Sequence, residues 1–305
     1  YLTEANARYK SKPRTRKLSY DNGELTNFIT TLVTFSPKQI KRTLNTSRDF
    51  ILLCLLTGLR KSEICRLRWE PFNSEPYVDL DNFFIVLPDP KNHIPHKQPM
   101  ARITQRMMEV RYNNRKFLEG ETKGQSALTY VFPDRFGNTH ITNPVKTLGG
   151  ILSEAGLPHL SLHDLRRTLK DQIQSNIGQD DTAISNRFTN HKLSGVTQRH
   201  YSQEGSPDEL RQHAQDIADF ISRSMSISFK NPHSKEWTEF NGLKRINPRD
   251  NRTEIDGRFF QEDDLMILLY GKNNKDKRSF DERMEDTFVP PEEFLEKYEG
   301  QKDEL

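Results

Sequence analysis

The sequence predicts an α+β chain, mainly helical, with one small antiparallel sheet and a C-terminal extension. Apolar residues recur at helical spacing through most of residues 18–225. One run, Phe83-Phe84-Ile85-Val86-Leu87, is β-rich instead, and a turn-rich stretch follows it. Beyond Phe229 the helical periodicity fades, except over Phe259 to Leu269, and the charge turns acidic.

Residues 1–17 are rich in Lys and Arg and poor in apolar side chains, which reads as a basic linker or strap. Leu18 to Val33 places Leu25, Phe28, Ile29 and Leu32 on one helical face. Ser36-Pro37 reads as a helix start, with Ser as cap and Pro at the first helical position. Thr46 to Thr57 is apolar nearly all round over Phe50 to Leu56, so it predicts a buried helix. Gly58 ends it, and Lys61 to Arg68 predicts the next.

The β-rich run pairs with a second short strand expected near Ala101-Arg102-Ile103, across a connection from Pro88 to Pro99. Thr104 to Phe117 is a basic amphipathic helix, and Tyr130-Val131-Phe132 a strand-like piece. Thr142-Asn143-Pro144 caps a helix ending near Ala155, with Gly156 just past it. A helix from His163 to about Ile177 follows, then two shorter ones carrying His191 and Tyr201. Pro207 to Met225 is strongly amphipathic, with Leu210, Ala214, Ile217, Ala218 and Ile221 on one face. Residues 281–305 are acidic, with the composition of partial disorder.

The chain of 305 residues can form one large or two modest domains. Its net charge of +3 conceals an asymmetry. Residues 1–201 hold 30 Lys and Arg against 19 Asp and Glu, and the remainder holds 16 against 24. A basic body with an acidic tail suits a nucleic-acid binder. Two cysteines, Cys54 and Cys65, lie in apolar helical sequence and read as core residues of a reducing compartment, with no metal site implied. No apolar run reaches the roughly 18 residues of a membrane span, and no signal peptide is visible. The terminal Lys302-Asp303-Glu304-Leu305 matches a retention signal that acts only on secreted chains, so it is read as coincidence. The start at Tyr1 suggests a piece of a longer protein.

The candidate chemistry lies in His163-Asp164-Leu165-Arg166-Arg167-Thr168, Asn190-His191-Lys192 and Arg199-His200-Tyr201. Phosphodiester exchange without a metal needs a nucleophile, cations over the phosphate oxygens and a proton donor for the leaving oxygen. His163 and Arg166 are three apart, so one helix face presents both. Upstream, Thr57-Gly58-Leu59-Arg60-Lys61-Ser62-Glu63 supplies a second arginine just past a glycine break, with Glu63 one turn on to orient it. An arginine fork matches two phosphate oxygens and stays charged. Taken singly, Arg60 reads more readily as a surface residue at a helix start, and Arg166 can be read as an ordinary ion-pairing one.

Taken together, Arg60, His163-x-x-Arg166, His191 and Tyr201, in that order, resemble the tyrosine recombinase (phage integrase) family. The hairpin Lys91-Asn92-His93-Ile94-Pro95-His96-Lys97-Gln98-Pro99-Met100 resembles the family's hairpin, in which a lysine opens the turn and a Pro-Leu-like pair closes it. That register selects Lys91, with Lys97 as the competitor. Where members usually have Leu-Gly-His, this chain has Thr189-Asn190-His191; asparagine tolerates the left-handed backbone that glycine would supply.

The resemblance covers residues 14 to about 225 and implies a tyrosine-recombinase catalytic domain at 18–225, helix 207–225 included, followed by an acidic extension at 226–305 of unplaced fold. It implies a site-specific DNA recombinase or integrase. Tyr201 would form a 3′-phosphotyrosyl bond, Arg60 and Arg166 would clamp the phosphate, and His163 would handle a proton. His191 would hydrogen-bond the phosphate, and Lys91 would protonate the 5′ leaving oxygen. No cofactor is implied. The expected partner is double-stranded DNA, bound by a homo-tetramer on paired sites and met by a monomer without DNA, in the cytoplasm of a bacterial or phage-infected cell. Two other readings are a type IB topoisomerase-like relaxing activity and a catalytically idle DNA-binding relative. The helical core-binding domain that normally precedes this region has no counterpart in the sequence.

Overall fold

The computed structural model describes residues 16–35, 44–121, 129–134, 136, 139–177, 182–190, 207–225, 227–230, 237–240, 265–266 and 269–270. The predicted helix start at Ser36-Pro37 lies outside them.

The first helix, α1 (Glu24–Thr34), begins later than its apolar pattern suggested, because Gly23 takes φ 74° and turns the chain there. Its predicted face is buried: Leu25, Phe28, Ile29 and Leu32. Helix α2 (Leu44–Thr57) is the centre of the core, with Phe50 through Leu56 all buried. An element apolar on every side can be satisfied only by neighbours on every side. α1, the later helices and a tail segment supply them. Helix α3 (Lys61–Cys65) is shorter than the expected Lys61–Arg68, since Arg68 leaves it to bridge Tyr77 and Tyr130. Both cysteines are buried in this region, as their apolar context predicted.

The sheet is three-stranded and antiparallel, in the order β1 (Tyr77–Asp79), β2 (Phe84–Leu87), β3 (His96–Pro99). The second strand of the hairpin is therefore 96–99, not 101–103: Phe84 pairs with Pro99 and Leu87 with His96. His-Lys-Gln-Pro has no β-branched residue and carries no local strand signal. Its extended form comes from the β2 ladder, and Pro99 is tolerated because β3 is an edge. Residues 102 onward instead open α4 (Arg102–Glu121). Tyr130 to Phe132 contributes only a bridge through Tyr130 to Arg68.

Helix α5 (Val145–Glu154) ends at Gly156, φ 66°. Helix α6 (Leu162–Thr168) runs on through a π turn at Leu169–Ile173 and a last turn at Gln174–Asn176. Helix α7 (Thr182–Phe188) follows, and then α8 (Pro207–Arg223). The apolar face of α8, Leu210, Ala214, Ile217, Ala218 and Ile221, is buried within this same chain. It packs against α2, α4, α7, β3 and the π turn. Past α8, β4 (Ile227–Lys230) and β5 (Trp237–Phe240) form a separate antiparallel pair. Leu265, Leu269 and Tyr270 of the C-terminal extension join the same core as α2.

Two buried features tie these helices together. Gly58, φ 62°, turns the chain after α2; a Cβ there would lie 2.7 Å from Leu169 Cδ2 and 3.3 Å from Thr189 Cγ2. Farther along, Ser185 of α7 donates to Gln174 Oε1, and the Gln174 amide nitrogen lies 3.0 Å from His213 Nε2 on α8. With the amide donating, that ring nitrogen is the acceptor and the imidazole is neutral. The ring also meets Phe188 edge-on, centroids 4.9 Å apart.

Gly58→Ala is expected to cost about 2–4 kcal/mol of stability, combining left-handed backbone strain with overpacking. Urea denaturation measures it, and a loss below about 1 kcal/mol would mean the turn relaxes freely. A second expectation concerns His213, whose pKa is lowered from 6.5 to about 4 by burial, against a smaller opposing effect of Asp216. The unfolded chain then takes up a proton that the folded one refuses, so stability declines as pH falls from 6.5 toward 4. Between pH 7 and 4.5, wild type should lose about 2–3 kcal/mol more than a non-titrating His213→Phe variant. Equal pH dependence in the two proteins would exclude this.

Candidate active site

Arg60 stands at the N-terminus of α3, where the Gly58 turn delivers it. The Glu63 carboxylate reaches back to it twice: Oε2 accepts the Arg60 backbone N–H at 2.7 Å, and Oε1 accepts from the guanidinium at 2.9 Å. Glu63 is buried, and the Arg60 side chain is 25% exposed. The pair leaves one face of the fork toward solvent.

His163 and Arg166 come from α6, whose start is fixed by a reciprocal cap. Asp164 Oδ2 accepts the Ser161 backbone N–H at 2.9 Å and its hydroxyl at 2.7 Å, while the Asp164 N–H donates to Ser161 Oγ at 3.3 Å. Arg167 donates to the other carboxylate oxygen at 2.9 Å. Burial alone would raise the Asp164 carboxyl, but these Ser161 and Arg167 bonds hold it below its usual value. It is ionised at neutral pH.

Arg166 is buried, and its guanidinium donates to the backbone carbonyls of Gly58 and Thr189. It thereby bolts the turn after α2 to the turn after α7. Desolvation lowers its pKa to about 10, with Arg60 adding to the shift and Glu63 opposing it. It remains a cation at pH 7. His163 is exposed on the same helix, and its imidazole pKa is lowered, first by desolvation and then by Arg167, Arg166 and Arg60. Arg60, His163 and Arg166 therefore form one electrostatic cluster.

Lys91 is exposed in the β2–β3 turn, and the neighbouring Asn92 reaches Asn190 at 2.8 Å. Asn190 has φ 49°, the left-handed conformation expected for it. It is the last described residue before the next segment; His191 and Tyr201 lie outside the described residues. Lys97 lies on β3, exposed and opposite Val86.

One residue of the cluster has no part in the sequence reading. His96, on β3, sits half-buried with Nε2 2.9 Å from Gln98 Oε1. Its pKa is lowered by burial, against the pull of Gln98, Glu63 and the Phe188 backbone. It therefore links the hairpin to both the Glu63 and Phe188 regions. Local sequence offered no sign of this, because its partners are 33 and 92 positions away.

Chemically, the cluster is suited to an anion. Two arginines face one buried carboxylate, Glu63, so positive charge is left over in a partly desolvated place. Such charge is satisfied by an arriving oxyanion. Among the described residues, no group of three or more His, Cys, Asp or Glu is placed to hold a metal ion.

A family model described as the phage integrase family matches residues 26–206, more than half of the chain. The chain belongs to that family. No curated protein matches it. Among solved structures it is similar to the XerH site-specific recombinase bound to difH substrate in a pre-cleavage complex, at 15% identity and TM-score 0.44, over 65% of this chain and 55% of that one. A XerH post-cleavage complex with palindromic difH matches at 18% identity and TM-score 0.44, over 66% and 52%. The chain spans about half the length of these recombinases. Among the described residues, no helix is long and apolar enough to cross a membrane.

The lowered His163 pKa carries a test. Histidine proton resonances followed by NMR should place His163 below 6.5 in the free protein. Arg167→Gln removes a cation and unmasks Asp164, so both changes should raise the value. A downward or absent shift would contradict the electrostatics described.

Proposed function

We propose that this protein is a site-specific DNA recombinase, an integrase that cuts and rejoins double-stranded DNA through a 3′-phosphotyrosyl intermediate. The observation that carries the reading is the Arg60–Glu63–His163–Arg166 cluster, an under-neutralised anion site inside the family-matched segment that also contains Tyr201.

In the proposed reaction, the Tyr201 oxygen attacks phosphorus, forming a Tyr–O–P bond as the P–O5′ bond breaks. Neutral His163 takes the phenol proton, and Lys91 gives one to the leaving 5′ oxygen. Arg60 and Arg166 hold the non-bridging oxygens, where charge accumulates, and His191 adds a hydrogen bond. A 5′-hydroxyl from the partner strand then reverses the step. One phosphodiester is exchanged for another, so no cofactor or external energy source enters the scheme. With the α8 face buried in its own domain, the free chain is read as a monomer that assembles into a tetramer on paired sites. Cytoplasmic DNA of a bacterial or phage-infected cell is the corresponding setting.

The test uses the full chain and nicked duplexes tiled across the DNA flanking its coding sequence, so that cleavage traps the covalent product. A denaturant-stable adduct mapping to Tyr201 is expected, and Tyr201→Phe should lose it while still binding DNA. Arg60→Ala should slow cleavage about 100- to 1,000-fold, the usual cost of removing one donor to a developing oxyanion. Arg60 is the cleaner probe, because Arg166 also holds two backbone carbonyls. An adduct with Tyr201→Phe, or wild-type rates with Arg60→Ala, would remove those assignments. Relaxation of a supercoil without exchange between two duplexes would indicate the topoisomerase-like activity instead.

A further inference from the structure

Two amide side chains join the β2–β3 turn to the arginine cluster across 98 positions of sequence. Asn92 Nδ2 donates to Asn190 Oδ1 at 2.8 Å and to the Asn190 backbone oxygen at 3.2 Å. Asn190 Nδ2 returns a longer bond to Asn92 Oδ1 at 3.4 Å. Asn190 is only 7% exposed, so its amide competes little with water and the pair is held from the buried side.

What lies on either side of this pair gives it meaning. Asn92 is joined by one peptide bond to Lys91. Asn190 is joined by one peptide bond to Thr189, whose carbonyl accepts from Arg166. The connection from lysine to clamp arginine is therefore one peptide unit, an amide pair, another peptide unit and a guanidinium. The base of the same hairpin is tied down independently, through His96 to the Phe188 backbone.

We infer that Asn92 and Asn190 are a positioning pair that fixes Lys91 relative to Arg166, so that the lysine ammonium meets the leaving oxygen. This rests on the reaction proposed above. A lysine on an exposed turn has a flexible four-carbon stem, and an untethered turn would add its own wandering to that freedom. Effective proton transfer needs the donor within hydrogen-bond reach, and small displacements are costly in rate. Asparagine meets two demands at position 190. It accepts the left-handed backbone, as glycine would, and it supplies a donor and an acceptor, which glycine lacks. The pair is uncharged, so it restrains the lysine without altering the charge of the site.

The experiment uses the full chain and a duplex that wild type cleaves in the assay above, in two forms. One has the ordinary phosphodiester; the other has sulfur as the 5′ bridging atom, so that the P–S bond breaks and the thiolate leaves without a proton. Asn190→Gly, Asn92→Ala and the double variant should each cleave the ordinary substrate about tenfold to a hundredfold more slowly. The double variant should be no slower than the slower single one, and all three should regain wild-type rates on the sulfur substrate, as should Lys91→Ala. Wild-type rates on the ordinary substrate would overturn the inference. Slowness on both substrates would overturn it too, since the pair would then serve the fold or the clamp rather than the lysine. Should Asn190→Gly not fold, Asn92→Ala in the exposed turn carries the test alone. If wild type forms no adduct with any duplex, the recombinase reading falls and takes this inference with it. That result is distinguishable from an active wild type with indifferent variants.

Discussion

The buried guanidinium of Arg166 is the interaction on which the rest of the described structure depends. Burying a cation is costly unless its donors are used, and here two backbone carbonyls use them. Those carbonyls, Gly58 and Thr189, belong to the turns that end α2 and α7. One side chain therefore sets the spacing between the buried central helix and the segment leading to position 191. Beside this contact, a Cβ at position 58 would crowd the Leu169 and Thr189 side chains, and its positive φ would strain most other residues. The glycine serves the turn and its packing on α6 and α7, while the arginine holds the carbonyl that the turn presents. An apolar residue in place of Arg166 would leave both carbonyls unpaired, which costs more than the arginine's own bonds contribute.

Around this contact, polar groups in the interior fix how the helices meet. The Ser185–Gln174–His213 relay holds α7, the last turn of α6 and α8 in one register. A second buried network forms at the other end of α2. Arg111 of α4 pairs with Asp49 at 3.0 Å and donates twice to the Val131 carbonyl, and the Tyr270 hydroxyl comes within 3.4 Å of Asp49. Part of the C-terminal extension is therefore packed into the same core, not appended to it. The sequence shows the short periodic patch at Phe259–Leu269 but not what it packs against, since Tyr270 meets Asp49 across 221 positions.

The helical part of the fold was legible in the sequence because helices declare themselves locally. The face of α1, the all-apolar α2, the Gly58 break and the α8 stripe each follow from spacing within a dozen residues. The β3 strand was misplaced because its evidence is not local: His96–Pro99 is extended through pairing with β2, against its own propensity. The same distinction separates what was readable in the candidate site. Arg60 with Glu63 and His163 with Arg166 are neighbours on one turn, so spacing predicts them. Asn92 with Asn190, and His96 with Phe188, are made neighbours only by the fold, and nothing near either residue in sequence points to its partner.

Electrostatics then explains why the histidine is held neutral while the arginines stay charged. With His163 neutral, Arg60, Arg166 and Arg167 face Glu63 and Asp164, leaving one net positive charge at the cluster. A bound phosphodiester, carrying one negative charge, would cancel it. The transition state of the proposed reaction carries more negative charge on phosphorus oxygens, and a second positive charge would then be favoured at the cluster. The three cations that disfavour imidazolium in the free protein would be offset by that anion, so His163 would become basic as the tyrosine oxygen loses its proton. A permanently charged residue at position 163 could not respond in this way. In the proposed reaction the proximity of the arginines would thus serve two ends: clamping the anion, and disfavouring imidazolium at His163 until that anion arrives.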